Sequence, residues 1–380
     1  MKVTGDWLDH PGTQALCAAI EGAGHRALFV GGCVRNALLG VPVADVDIAT
    51  DARPDVVAQL AADAGFRVVP TGIDHGTVTV IAAGVPHEVT TFRHDVETDG
   101  RRAVVAFAAD VAEDAARRDF TMNALYADAR GRVIDPLGGL PDLVARRLRF
   151  VGDAHQRIRE DYLRILRFFR FHAHYGDPEG GMDAEALAAA AELAEGLDGL
   201  SRERIGAEMR KLLAAPDPAP AVAAMAQAGA LARVLPGSDA RALAPLVHLE
   251  GGLTPRWQRR LAALGGQDVA ARLRLSRAEA AEIAALGDAV GRGWSPAALG
   301  WKLGVSGGQD AVLLRAVLLE SPLPPDWQAE VARGAGSIMP VAAADLMPGL
   351  QGAALGVRLK ELEALWLASD LQLTKDALLG

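Results

Sequence analysis

An apolar strand that runs straight into a glycine pair constrains this chain more than any other stretch: Leu28-Phe29-Val30-Gly31-Gly32-Cys33-Val34-Arg35. Residues Cys33 to Leu39 read as the first turns of a helix. Glycines at a strand-to-helix turn let an anion approach the backbone, whose N–H groups then point at it. Arg35 adds a cation one helical turn in. Asp45-Val46-Asp47 follows, and alternate residues of an extended segment share a face. Two carboxylates so placed can hold Mg²⁺ ions roughly 4 Å apart for in-line phosphoryl transfer. A lone Gly-Gly is usually a turn, and a lone Asp-x-Asp is usually a loop or a cap. Their order within one βα unit is what argues for a nucleoside triphosphate site.

The whole chain sets the bounds. At 380 residues it is long for one core and suits two to four domains. Cys17 and Cys33 have no CxxC spacing, which fits a reducing cytoplasm better than a disulfide framework. The first residues lack a basic, apolar signal pattern, and no run reaches membrane-spanning length, so no membrane role is expected. A net charge of −9 excludes a uniformly basic chain, but a nucleic-acid binder needs only a local basic face.

Up to about residue 140, strand and helix signals alternate. Val78-Thr79-Val80-Ile81 and Glu88-Val89-Thr90-Thr91-Phe92 are β-rich and flank a hairpin-like Ala-Gly-Val-Pro. The charged stretch Arg93 to Arg102 reads as a mobile loop, and Arg132 to Asp135 as a strand closed by Pro136 and Gly138-Gly139. From Pro141 onward the sequence is alanine-rich with helical spacing, as in Met182 to Glu195 and Arg202 to Leu213. Ala215 to Pro220 is its clearest punctuation.

Three further constellations carry chemistry. Glu88 can pair beside the Asp45-Asp47 segment, as a third metal ligand or as the acceptor of a proton from an attacking hydroxyl; a solvated strand charge explains it equally well. Arg117-Arg118-Asp119-Phe120-Thr121-Met122-Asn123-Ala124 suits a triphosphate through arginine and a ribose through aspartate, although helix capping explains the same residues. In Glu160-Asp161-Tyr162-Leu163-Arg164-Ile165-Leu166-Arg167-Phe168-Phe169-Arg170-Phe171, Tyr162, Ile165, Leu166 and Phe169 share one helical face. Arg164, Arg167 and Arg170 lie around the other side, where a solvated basic face is the plain alternative. An aspartate accepts and an arginine donates, so an Asp–Arg pair fits the base edges of cytosine and adenine. Against uracil or guanine the same pair meets acceptor with acceptor and donor with donor.

These motifs, in this order, closely resemble the bacterial tRNA nucleotidyltransferase (CCA-adding enzyme) and poly(A) polymerase family. The resemblance runs to about residue 215 and takes in Asp135-Pro136-Leu137-Gly138-Gly139 and Glu203-Arg204-Ile205 with Glu208. It implies an α+β fold: a polymerase-β-like nucleotidyltransferase head with a mixed sheet over 1–140, followed by all-α parts. These would be a helical neck with a base-recognition helix over 141–215, and a tRNA-binding body and tail over 216–380. It further implies that Asp45 and Asp47 bind Mg²⁺ in a two-metal site. Gly31, Gly32 and Arg35 would contact the incoming nucleotide, and Arg118 and Asp119 its triphosphate or sugar. Asp161 and Arg164 would read the base, supported by Arg167 and Arg170. The Glu203-Arg204 segment would stabilise a helix, and the Arg93 to Arg102 loop would help switch specificity from C to A. One departure is Asn36, where the family usually has aspartate; it weakens the case for Arg35 being oriented by a salt bridge.

The activity so implied is template-independent addition of C, C and A to the tRNA 3′ end from CTP and ATP, with release of pyrophosphate. Partners would be the tRNA acceptor and elbow region, with no obligate protein partner; Arg146, Arg147 and Arg149 are candidate RNA contacts beside a plain solvated-charge reading. An A-adding enzyme or a poly(A) polymerase remains open. The presence of the loop disfavours a CC-only enzyme, and Asp45 and Asp47 count against a catalytically silent RNA-binding scaffold.

Overall fold

A computed structural model describes residues 1–69, 72–73, 76–98, 103–347 and 349–380. The chain forms two compact units, Met1–Leu200 with Gln227–Arg233, and Ser201–Ala226 with Val234–Gly380.

The first unit is built on a mixed seven-stranded sheet. Its strands in chain order are β1 (Leu28–Val30), β2 (Asp47–Thr50), β3 (Arg67–Val69), β4 (Thr77–Ala82) and β5 (Val85–Thr91), then β8 (Tyr126–Ala127) and β9 (Val133–Ile134). Between these two groups, β6 (Arg93–Thr98) and β7 (Ala103–Phe107) pair with each other in a separate antiparallel ribbon. The order across the large sheet is β3-β4-β5-β2-β1-β8-β9. Only β2 and β5 run parallel, in a register that sets Asp47 opposite Glu88. Strand β1 is buried throughout, as an unbroken apolar run between two neighbours must be. The β4–β5 hairpin turns on Ala83-Gly84, both at positive φ, so Val85 and Pro86, the last two residues of the expected turn, belong to β5.

The ribbon corrects the expectation of a loop from Arg93 onward. Arg93–Thr98 is a strand, in register with 103–107 around an irregularity between Asp95 and Glu97. Backbone pairing outweighs the polar composition there. Residues 99–102 of that expected loop lie outside the described residues.

Helices of this unit are α1 (Asp6–Asp9), α2 (Pro11–Gly22), α3 (Gly32–Leu39), α4 (Pro54–Asp63), α5 (Val111–Ala116), α6 (Leu140–Val144), α7 (Ala154–Glu160), α8 (Leu163–Tyr175) and α9 (Ala184–Glu192). The Asp135 carboxylate accepts from the Gly139 and Leu140 amides at 2.7 and 2.9 Å, so the Asp-Pro-Leu-Gly-Gly motif starts α6. A Cβ at Gly139 would collide with the Thr121 carbonyl, which explains glycine there. Helix α8 buries Leu163, Ile165, Leu166, Phe168, Phe169 and Phe171, more than one face; Tyr162 caps it rather than lying on it. Phe168 fills the unit's aromatic core with Phe120 and Phe150, so the arginines occupy a narrow stripe.

In the second unit every regular element is a helix. Arg202–Leu213 is one of them, capped by the Ser201 hydroxyl. The Pro-rich punctuation separates it from Ala219–Gln227, where Asp217 receives the Ala219 amide at 2.9 Å. Among the described residues no helix is long and apolar enough to cross a membrane. The expected α+β head followed by helices is the architecture seen.

Candidate active site

Strand β1 delivers the chain to Gly31, whose φ of 68° is a left-handed conformation that glycine adopts without strain. A Cβ there would stand 3.4 Å from an Arg118 nitrogen, an ordinary contact, so it is the backbone conformation that calls for glycine. Gly32 opens the helix, and Arg35 lies one turn in, 6% exposed.

The three acidic candidates come together. Asp47 begins β2, Asp45 stands two residues earlier with buried Val46 between them, and Glu88 is the register partner of Asp47. Register partners in a parallel pair point to the same face of the sheet. Asp47 is pushed up to about 6, first by burial and then by Glu88, with Asp45 adding and Arg118 opposing. Among the described residues none of the three is in an ion pair. Among the described residues no ready set of three metal-ligating side chains exists. The donors present are hard carboxylate oxygens carrying uncompensated charge, and a Mg²⁺ ion, which keeps several waters and takes one or two carboxylates, fits them.

Arg35 has an unusual environment. Its Nε and Nη2 donate to Asn36 Oδ1 at 3.1 and 2.8 Å, Nη1 donates to Asn123 Oδ1, and Nη2 donates to the Tyr175 hydroxyl at 2.9 Å. Asn36 therefore orients Arg35 by hydrogen bonds, with no charge of its own. Burial lowers the pKa of this arginine.

The second motif is braced from within. Asp114, 1% exposed, takes Arg118 at 3.0 Å, Arg117 at 2.8 Å and the Tyr126 hydroxyl at 2.6 Å. Burial would raise this carboxyl, but Arg118 and Arg117 hold it below the usual carboxylate range. Arg118 also donates to Tyr126 at 3.0 Å. Asp119 accepts from Arg167 at 2.8 Å, from the Asn123 side chain at 2.9 Å and from the Phe120 amide at 2.9 Å. Asn123 thus links Asp119 to Arg35.

On the third motif, the Asp161 carboxylate receives the Leu163 amide at 3.1 Å and so starts α8. Arg164 Nη1 donates to the Arg157 carbonyl and to Glu160, each at 2.6 Å. Arg157 also reaches Glu160, as well as the carbonyls of Arg117 and Arg118, fastening the second motif to the third. Arg170 lies over the Phe171 ring at 4.4 Å. Arg35 and Asp119 are thus joined to Arg167 through Asn123, and Arg118 to Arg164 through Arg157.

Arg147 and Arg149 are occupied: both grip Asp142, which is fully buried and also takes the Thr121 hydroxyl at 2.8 Å. Arg146 sits at φ 49°, and its carbonyl accepts the Asp177 amide.

Sequence reasoning missed four residues here. Asp114 stands three and four residues before two arginines, a helical ion-pair spacing that was legible. Asn123 lay inside a quoted motif without a role. Tyr175 gave no local signal, because Arg35 lies 140 positions away; Arg157 stands three residues before Glu160, but the carbonyls of Arg117 and Arg118 that it also holds are distant in sequence.

Comparison with known proteins follows this geometry. Residues 27–149 match the poly A polymerase head domain, and 181–241 match the probable RNA and SrmB-binding site of polymerase A. The chain is 44% identical over 203 residues to mouse (Mus musculus) mitochondrial CCA tRNA nucleotidyltransferase 1, covering 53% of this chain and 47% of that one. It is 44% identical over 216 residues to a CCA-adding enzyme of Geobacillus thermodenitrificans, covering 56% and 52%. The chain spans about half the length of these curated relatives. The crystal structure of the Bacillus stearothermophilus CCA-adding enzyme in complex with CTP matches with a TM-score of 0.75 and 30% identity, over 94% of this chain and 93% of that one.

Proposed function

This chain belongs to the CCA-adding enzyme and poly(A) polymerase family, and we propose that it adds C, C and A to the 3′ end of tRNA from CTP and ATP. The observation that carries this reading is the Asp47–Glu88 register, with Asp45 two residues before, in the same sheet whose strand β1 leads into the Gly31-Gly32 turn.

The residues divide the work as follows. Asp45 and Asp47 would hold Mg²⁺, which when bound supplies charge stabilisation at the phosphoryl group. Glu88 stands where it can accept the proton of the attacking 3′ hydroxyl or complete the ligand set. Gly31 and Gly32 leave the backbone open to the nucleotide. Arg35 and Arg118 supply cations for the triphosphate, and Asp119, fixed by Arg167, accepts from the sugar. Asp161 and Arg164 read the base edge, with Arg167 and Arg170 behind them. Among the described residues Arg164 is anchored through Nη1, and its other edge is proposed to donate to the base. Pyrophosphate leaves after attack at the α-phosphorus.

The helical parts, a neck over 141–215 and a body and tail over 216–380, would grip the acceptor and elbow of tRNA by shape and phosphate contacts. The reaction would take place in the cytoplasm.

The test offers the purified protein tRNAs lacking one, two or three 3′ nucleotides, with each nucleoside triphosphate separately. Addition of C, C and then A in order is expected. Addition of A alone, or of long A tails, would replace this reading by that of an A-adding enzyme or poly(A) polymerase.

A further inference from the structure

Arg35 is a buried cation whose hydrogen-bond partners, Asn36, Asn123 and Tyr175, are all neutral, and among the described residues it has no carboxylate in ion-pair contact. Aromatic faces take the place of a counter-ion. The Arg35 guanidinium lies 4.0 Å from the Tyr175 ring centroid and 5.1 Å from that of Phe171. Arg167 and Arg170 approach the same Phe171 ring at 5.1 and 4.4 Å, so three guanidinium groups gather around one aromatic pair on α8. The Phe171 and Tyr175 rings are themselves 5.6 Å apart.

A ring attracts a cation through its quadrupole but adds no negative charge. A carboxylate in the same place would neutralise the arginine and compete with any incoming anion. The Tyr175 hydroxyl adds direction, because it accepts from Nη2 while Asn36 and Asn123 hold the other nitrogens.

We propose that Tyr175 is a positioning residue for the triphosphate of the incoming nucleotide, acting through Arg35 and keeping its charge available. This rests on the reading of Arg35 as a nucleotide contact. The effect should follow phosphate charge and be the same for either base, which separates Tyr175 from the base-reading residues.

The experiment titrates CTP, ATP, CMP and AMP, with magnesium, into the full chain and its Tyr175→Phe and Tyr175→Leu variants by calorimetry, with thermal unfolding alongside. Loss of the hydroxyl alone should weaken CTP and ATP about 3-fold, and loss of ring and hydroxyl about 10-fold. CMP and AMP should change by less than about 2-fold, because little of their affinity comes from phosphate charge. Equal weakening of mono- and triphosphates, or unchanged triphosphate affinity in a folded variant, would overturn the proposal. Should Tyr175→Leu fail to fold, Tyr175→Phe, which keeps the ring, decides alone. If the unaltered protein binds neither CTP nor ATP, the reading of the site itself falls; if it binds both and the variants match it, only the role of Tyr175 falls.

Discussion

In the helical unit, Arg259 and Arg260 are each about 1% exposed, and each has an acid beside it; in the sheet-based unit, Arg35 is nearly as hidden, and its partners among the described residues are amides, a phenol and ring faces. Arg259 joins Glu250 and Asp310, both at 2.8 Å. Arg260 meets Glu250 at 2.7 Å and spends its remaining donors on the carbonyls of Leu213, Ala215 and Pro216, which tie off the end of the Arg202–Leu213 helix. Asp310 is shared with Arg256 at 2.9 Å. Asp45, Asp47 and Glu88 present the reverse case of Arg35: acids drawn together with, among the described residues, no cation in ion-pair contact. Compensated charge fixes helices, whereas uncompensated charge costs stability and is kept where a ligand of opposite sign is to arrive.

The largest effect that could break this contrast is on chemistry. Asp45→Ala should lower nucleotide transfer about a thousandfold while leaving tRNA affinity, read by gel shift, within about 2-fold. Transfer near the unaltered rate would remove the acids from the reaction.

Next comes the helical unit. Arg259→Met leaves Asp310 and Glu250 short of a partner and should cost about 3 kcal/mol in urea titration, with transfer per folded molecule unchanged. Adding Asp310→Leu should return part of the loss, since an apolar pair needs no compensation. Loss of transfer without loss of stability would erase the distinction between the units.

Base selection is a smaller effect. Exchanging Asp161 and Arg164 should relax or invert the preference for CTP and ATP by about 1–3 kcal/mol per unpaired group. The structure adds a condition. Arg164 rests on Glu160, so an aspartate at 164 would face a like charge, and the exchange belongs in a Glu160→Gln background. An active exchanged enzyme with unchanged preference would place selection elsewhere.

The smallest effect concerns pH. Burial would raise Asp142, but the Thr121 hydroxyl, Arg147 and Arg149 hold it below the usual carboxylate range. A depressed carboxyl adds stability that is present above its unfolded pKa, near 3.9, and lost as pH falls through its lower folded value. Asp142→Asn should therefore destabilise the protein by about 1–2 kcal/mol at pH 7. In urea titrations the difference should shrink only as pH drops below about 4; a constant difference down to strong acid would remove the charge from the account.

These contrasts were partly legible in the sequence. The order strand, Gly-Gly, Arg, Asp-x-Asp is local, and so was the turn at Gly31; Glu88 could be set beside the Asp45-Asp47 segment, but its register with Asp47 is fixed by the parallel pairing of β2 with β5. Ser201 and Asp183 capped helices where the sequence placed helical starts. What stayed hidden was long-range. Whether Arg35 meets an acid or a ring is set by Tyr175, 140 positions away. Arg147 and Arg149 read as a charge run because Asp142, the group they cover, looks like any surface acid in the sequence. The ribbon at Arg93–Thr98 was missed because its strand order is set by pairing with 103–107, while its composition is that of a loop.

The acids of the sheet are held together at a cost to stability for the sake of chemistry. Asp47→Asn tests this in one protein, since it removes the charge of Asp47 and keeps its shape. In buffer free of divalent cations the thermal midpoint should rise by about 2 °C or more, because repulsion from Glu88 and Asp45 is relieved, while transfer with magnesium is lost. A lower midpoint, or transfer close to that of the unaltered enzyme, would contradict it.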